Sequence, residues 1–138
     1  MTRRYILDSG PAFDFIFRRR GVHLRAENAR RSGAKIGICT PILGEIVGGL
    51  EGSTSREQSW VVARARLGKL ACWPYELRAA YEYGRIIAEL RRMGRPMQQI
   101  DIQLAAIAFS LRDCVVVSDD GDLCAIPGLP VESWAEPN

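Results

Sequence analysis

The stretch "CVVVSDDGDLCAIPG", residues 114–128, runs from apolar, mostly β-branched residues into three carboxylates within four positions. Cys114–Val117 is apolar without alternation, as expected of a central strand covered on both faces. Asp119, Asp120 and Asp122 then stand at its carboxyl end, where like charges repel unless something positive is held among them.

Working outward, other strand-like stretches occupy Arg4–Leu7, Lys35–Cys39 and Leu70–Trp73, with a short fifth at Leu129–Val131. Helix-like stretches fill the gaps. "TPILGEIVGGL" opens with Thr40 as an N-cap and Pro41 at the first helical position. "YELRAAYEYGRIIAELRRMG" sets Leu77, Ala80, Tyr81, Gly84, Ile87 and Leu90 on one stripe and ends at Gly94. "DIQLAAIAFSLRD" is apolar nearly all round, which marks a buried helix. Strands alternating with helices predict an α/β fold, a mostly parallel sheet with helices on both faces.

At 138 residues the chain fits one domain, 1–138, with a single core. A hydrophobic fraction of 47% with 25% charged residues is that of a soluble globular protein. The opening "MTRRYILDSGPAF" does not read as a signal peptide, and the longest nearly apolar run, Ile102–Leu111, is too short to span a bilayer. A cytoplasmic protein without a membrane partner is expected. Cysteines 39, 72, 114 and 124 form no C-x-x-C pair, so reduced core thiols account for Cys39, Cys72 and Cys114 better than a zinc site does. The single histidine, His23, has no evident triad partners, which argues against nucleophilic catalysis.

The net charge of +3 comes almost wholly from arginine, since Lys35 and Lys69 are the only lysines. Arg18–Arg20, Arg30–Arg31 and Arg91–Arg92 with Arg95 would suit a phosphate backbone; they would equally serve as solvated helix surface.

In parallel α/β folds, sites form outside the carboxyl ends of the strands. Asp8 directly follows the first strand, and Asp119 and Asp120 follow Cys114–Val117. Asp101 begins the buried helix that precedes that strand. Glu45 lies in the first turns of the helix after Lys35–Cys39, with Gly44 and Gly48 beside it. Each acid alone has an ordinary explanation as a cap or turn residue. Their joint arrival at one rim points instead to a hard divalent cation, Mg²⁺ or Mn²⁺, which takes carboxylate oxygens and keeps several waters.

Four motifs, "ILDSGPA" at 6–12, "TPILGEIVGGLEGS" at 40–53, "GRPMQQIDIQLAAIAFSL" at 94–111 and "VVVSDDGDLCAIPGLPVESW" at 115–134, resemble those of PIN-domain ribonucleases, specifically VapC-type toxins of type II toxin–antitoxin modules. The resemblance covers almost the whole chain. It implies a three-layer α/β/α PIN-like domain, a Mg²⁺- or Mn²⁺-dependent ribonuclease site, an RNA substrate, a cognate antitoxin and a homodimer. By position, Asp8 and Asp101 match metal-binding acids, and Glu45 matches the acid that orients or deprotonates the attacking water. Ser118 takes a threonine place, and Asp120 takes the Asn/Asp place and joins the metal set. Asp122 takes the later acid, and Leu123 replaces the usual aromatic. The first motif reads Asp-Ser-Gly where Asp-Thr-Asn is commoner, and Ser9 can still donate to a carboxylate. Which of Asp119 and Asp120 faces the site depends on where the strand ends.

Readings from other classes fare less well. An aspartyl phosphotransferase would want Asp-x-Asp after the first strand, and a dinucleotide-binding domain would want G-x-G-x-x-G there; neither is present. The non-enzyme alternative is a catalytically silent PIN-fold protein that binds RNA or a partner without turnover.

Overall fold

Five short strands set the frame: β1 (Arg4–Leu7), β2 (Lys35–Cys39), β3 (Ala71–Trp73), β4 (Cys114–Val117) and β5 (Val131–Glu132). In the computed structural model, which describes residues 2–137, they form one sheet in the order β3-β2-β1-β4-β5, every pair parallel. The domain read from the sequence, 1–138, extends one residue beyond the described chain at each end. β1 and β4 lie at the centre of the sheet; β4 is buried at all four positions.

Helices α1 (Ser9–Ile16), α2 (Val22–Arg31), α3 (Thr40–Glu51), α4 (Arg56–Leu67), α5 (Leu77–Arg92) and α6 (Gln99–Leu111) flank the sheet. α6 buries seven residues, six of them apolar, as its all-round hydrophobicity requires. α5 packs along α6, while α1 meets α2, α3 and α4. The side chains of both central strands and of every helix contribute to one hydrophobic core cluster. No helix among the described residues is long and apolar enough to cross a membrane.

Several expectations shift by a residue or a face. Leu70 donates its N–H back to Leu67, closing α4, so β3 begins at Ala71 rather than Leu70. The fifth strand is Val131–Glu132, not Leu129–Val131. Pro130 has no N–H for a ladder, and Leu129 spends its own on Ile126 in a turn. Thr40 is already helical, and its hydroxyl accepts from the Tyr75 N–H instead of capping α3.

The hydrophobic stripe indicated for α5 holds at its C-terminal end, where Leu90 is buried and Ile87 packs on the core, but not in its first half. Leu77 and Tyr81 are 73% and 76% exposed, whereas Ala79, Ile86 and Leu90 are buried. Arg85 lies over the Phe109 ring of α6 and Tyr83 packs edge-on against Tyr75, so the helix is rotated toward these contacts. Cys72 is exposed, not a core thiol, because β3 is an edge strand whose middle side chain faces out. Cys39 and Cys114 are buried, and burial pushes each thiol up to about 12, which makes both poor nucleophiles at neutral pH.

Gly37 is required by the sheet itself. A Cβ there would stand 2.6 Å from the Ala71 carbonyl oxygen and 2.7 Å from the Trp73 ring, so only a bare Cα lets β3 and its tryptophan close on β2.

Candidate functional site

The register of the two central strands creates the site. Leu7 pairs with Val117, so the next residues, Asp8 and Ser118, emerge side by side at the carboxyl edge. Asp8 caps α1: its Oδ1 accepts from the Ser9 N–H at 2.8 Å. Its Oδ2 accepts from the Ser118 hydroxyl at 2.8 Å. The donors are thus the Ser9 backbone and the Ser118 side chain, not the Ser9 hydroxyl the sequence suggested.

Ser118 is 4% exposed and serves a second partner, accepting from the Asp120 N–H at 2.9 Å. Asp120 Oδ1 in turn accepts from the Asp122 N–H at 2.9 Å. This chain of short-range bonds curls the segment after β4 into a turn that leads into a 3₁₀ turn at Leu123–Ala125. One hydroxyl therefore fixes both a carboxylate of β1 and the backbone that carries Asp120.

Asp101 arrives from the first turn of α6, where a carboxylate also suits the helix dipole. Carboxylate oxygens of Asp8, Asp101 and Asp120 all lie within 4.8 Å of one another. Asp8 and Asp101 are almost wholly buried, while Asp120 is exposed on the solvent side. Burial first, then the charges of Asp8, Asp120, Asp122 and Glu45, push the Asp101 carboxyl up to about 6. Three acids at this spacing, two of them taken from water, make an all-oxygen donor set suited to a hard divalent cation.

The other candidate acids stand outside this trio. Glu45 is exposed on α3, close enough for its charge to reach Asp101 but not part of the three-acid cluster. Nothing lies within 4 Å of a Cβ built on Gly44 or Gly48, so the glycines leave open space beside it. Asp122 turns outward and pairs with Arg95 Nη2 at 2.8 Å, a contact the sequence did not reveal. Asp119 points away from the trio: it accepts from the Ser133 hydroxyl and faces Arg20 Nη1 at 3.8 Å. Arg20 also donates to the Glu136 carbonyl at 2.9 Å, so Asp119 belongs to a tie between the C-terminal segment and the loop before α2.

No family model matches the chain. The tRNA(fMet)-specific endonuclease VapC of Salmonella typhimurium is 28% identical over 131 residues, 95% of this chain and 98% of the relative. That of Shigella flexneri is 30% identical over 101 residues, 73% of this chain and 76% of the relative. The chain belongs to the VapC family. Among solved structures, DNA-bound VapBC of Salmonella typhimurium superposes with a TM-score of 0.86 at 28% identity, covering 98% of this chain and 100% of that one. VapBC2 of Rickettsia felis, bound to a promoter DNA fragment, shares the fold with a TM-score of 0.87 at 21% identity, covering 95% and 98%. The VapC likeness thus extends over both edges of the sheet and over all the elements that carry the acids.

Proposed function

We propose that this VapC-family chain is a metal-dependent ribonuclease, the toxin of a type II toxin–antitoxin module, that hydrolyses RNA phosphodiester bonds. The observation that carries the proposal is the trio Asp8, Asp101 and Asp120, whose oxygens converge within 4.8 Å at the carboxyl edge of the sheet. The curated relatives are named as tRNA-specific endonucleases, and in this reading the substrate here is likewise a structured RNA.

Asp8, Asp101 and Asp120 would hold Mg²⁺ or Mn²⁺. Bound there, the ion would polarise a phosphoryl oxygen and supply a more acidic water at neutral pH. The residues around it do the remaining work. Ser118 and the Ser9 N–H leave Asp8 one orientation, so its carboxylate is set before substrate arrives. Glu45, exposed and near enough for its charge to reach Asp101, would accept a proton from an attacking water. Asp122 contributes from outside, holding the Arg95 guanidinium at the rim, where a phosphate oxygen of RNA can accept from it. No covalent enzyme intermediate is needed.

The solved VapBC relatives are toxin–antitoxin complexes, and we assign this chain a cognate antitoxin on that basis. An acidic cleft on a protein of net charge +3 suits an inserted arginine, and the open face at Gly44, Glu45 and Gly48 is its route. A homodimer acting in the cytoplasm completes the proposal. The direct test is to incubate the purified chain with total tRNA in Mn²⁺ or in excess EDTA. Cleavage in Mn²⁺ alone supports the reading; undiminished cleavage in EDTA removes the metal from it, and no cleavage in either leaves a silent PIN-fold binder.

A further inference from the structure

Away from the acids, two of the arginine runs of the sequence each send one residue to the same cavity. Arg18, Arg30, Arg66 and Lys69, drawn from three separate parts of the chain, line a cavity of about 350 Å³ together with His23 and a single carboxylate, Glu27. Four cations face one anion there, and Glu27 is drawn aside to Arg31 at 3.7 Å. Two of the cations serve the fold: Arg66 donates to the Ile16 carbonyl at the end of α1, and Arg30 Nη2 donates to the Lys69 carbonyl at 2.8 Å. These bonds hold the two guanidinium groups in position, yet each keeps further N–H donors.

The other two cations have no such employment. Among the described residues, the side chains of Arg18 and Lys69 make no salt bridge or hydrogen bond. Arg18 also stands in the left-handed region at φ 53°, a conformation an arginine adopts at a cost that glycine would avoid. The ring of His23 completes the wall, and its Nδ1 is buried without a hydrogen-bond partner. Like charges gathered into a concavity are what an anion would relieve. A flat, solvated basic surface would not need the concavity.

We propose that this cavity binds a backbone phosphate of RNA outside the cleavage site, anchoring a structured substrate while Asp8, Asp101 and Asp120 act elsewhere on it. The proposal rests on the ribonuclease reading for its choice of RNA as the source of the phosphate. Arg66 and Arg30 are the fixed donors, and Arg18 and Lys69 close on the anion from the solvent side. RNA beyond the scissile bond would then contribute to affinity and not to the chemical step.

His23 is the only histidine of the chain, so its ring protons give an isolated NMR signal. The measurement follows that signal in excess EDTA, where turnover plays no part, as total tRNA, inorganic phosphate or a polyglutamate peptide is added. The expected result is a saturable shift with tRNA, a weaker one with inorganic phosphate, and none in the doubly substituted Arg18→Gln, Lys69→Gln chain. The same variant should weaken tRNA binding on the order of tenfold and lower the slope of log affinity against log salt by about 1.5. Its kcat, and its KM for a short single-stranded RNA, should be unchanged.

A shift with phosphate but none with tRNA would assign the cavity to a free anion and overturn the RNA anchor. A response to polyglutamate alone would assign it to an acidic protein segment and do the same. No shift with wild-type chain and any of the three overturns the proposal without recourse to a variant. A His23 response to tRNA from a chain that cleaves no RNA would sink the nuclease reading and leave the anchor standing.

Discussion

The Ser118 hydroxyl and the Asp8 carboxylate, 110 residues apart in the chain, meet at 2.8 Å because Leu7 and Val117 are paired neighbours in the sheet. The bond links the central strand pair to the acid cluster, and the same hydroxyl holds the Asp120 N–H. Ser118→Ala is therefore expected to cost about 1–2 kcal/mol of stability. It should also weaken Mn²⁺ binding roughly 10- to 100-fold, as losing a partner of a ligand does. Denaturant unfolding and a Mn²⁺ titration of the variant check both. Unaltered metal affinity would mean that Asp8 does not depend on this orientation.

Asp101 gives the metal-free protein a pH dependence with a definite sign. Its carboxyl titrates at about 6 against an unperturbed 3.8, chiefly through burial and secondarily through the neighbouring acids. The native chain then keeps a proton that the unfolded chain has lost, so stability falls as pH rises between those two values. In EDTA the melting temperature should be higher at about pH 5 than at about pH 7.5, and Asp101→Asn should remove Asp101's share of that difference while raising the melting temperature at the higher pH. Thermal scans of both proteins at the two pH values decide it. A variant that melts lower than wild type at the higher pH would contradict the crowding of charge.

The three aspartates after β4 should separate by function. Asp120→Ala should reduce kcat by more than the roughly 100-fold upper end seen for outer partners of a metal ligand. Asp119, tied to Ser133 and Arg20, should leave most turnover when replaced by alanine and cost at most about 1 kcal/mol of stability. Asp122→Ala should fall between them. Turnover of the three variants at saturating Mn²⁺ gives the order, and an inactive Asp119→Ala beside an active Asp120→Ala would reverse the assignment.

Arg95 links the chemistry of the rim to Asp122, and its removal should act in two opposite directions. Arg95→Ala leaves the Asp122 charge unneutralised near the cluster, so Mn²⁺ should bind roughly fivefold tighter. The lost cation should raise KM for RNA with little change in stability, since an exposed pair contributes only about 0–1 kcal/mol. Paired metal and RNA titrations would expose a purely structural role as no change in either.

The sequence carried the sheet clearly because β4 is apolar at every position and β1, β2 and β4 are each bounded by sharp changes of polarity. Asp8, Asp101 and the Asp119–Asp120 pair could be placed at one edge from strand and helix direction, while the choice of Asp120 over Asp119 rested on the motif resemblance. What it could not carry was side-chain pairing across the fold. Arg95 and Asp122 are 27 residues apart and neither is periodic with anything, so their contact follows only from the turn the Ser118 and Asp120 bonds create. The first half of the α5 stripe was misread for a related reason. Hydrophobic periodicity weighs Leu77 and Tyr81 heavily, but the packing of Ala79 and Ile86 and the stacking of Arg85 on Phe109 decide the rotation. Pro130 displaced β5 through a missing N–H, a local rule that the apolar pattern of Leu129–Val131 obscured.

If Asp8, Asp101 and Asp120 hold one metal on which RNA cleavage depends, the loss of any of the three removes both metal and activity. Calorimetric titration of Mn²⁺ into the wild-type chain and into Asp8→Asn, Asp101→Asn and Asp120→Asn, with cleavage of tRNA measured on the same samples, tests it most directly. Metal binding by wild type is expected, with a loss of both binding and cleavage in all three variants, each still folded. Cleavage that persists in a folded variant whose Mn²⁺ binding is gone would contradict it.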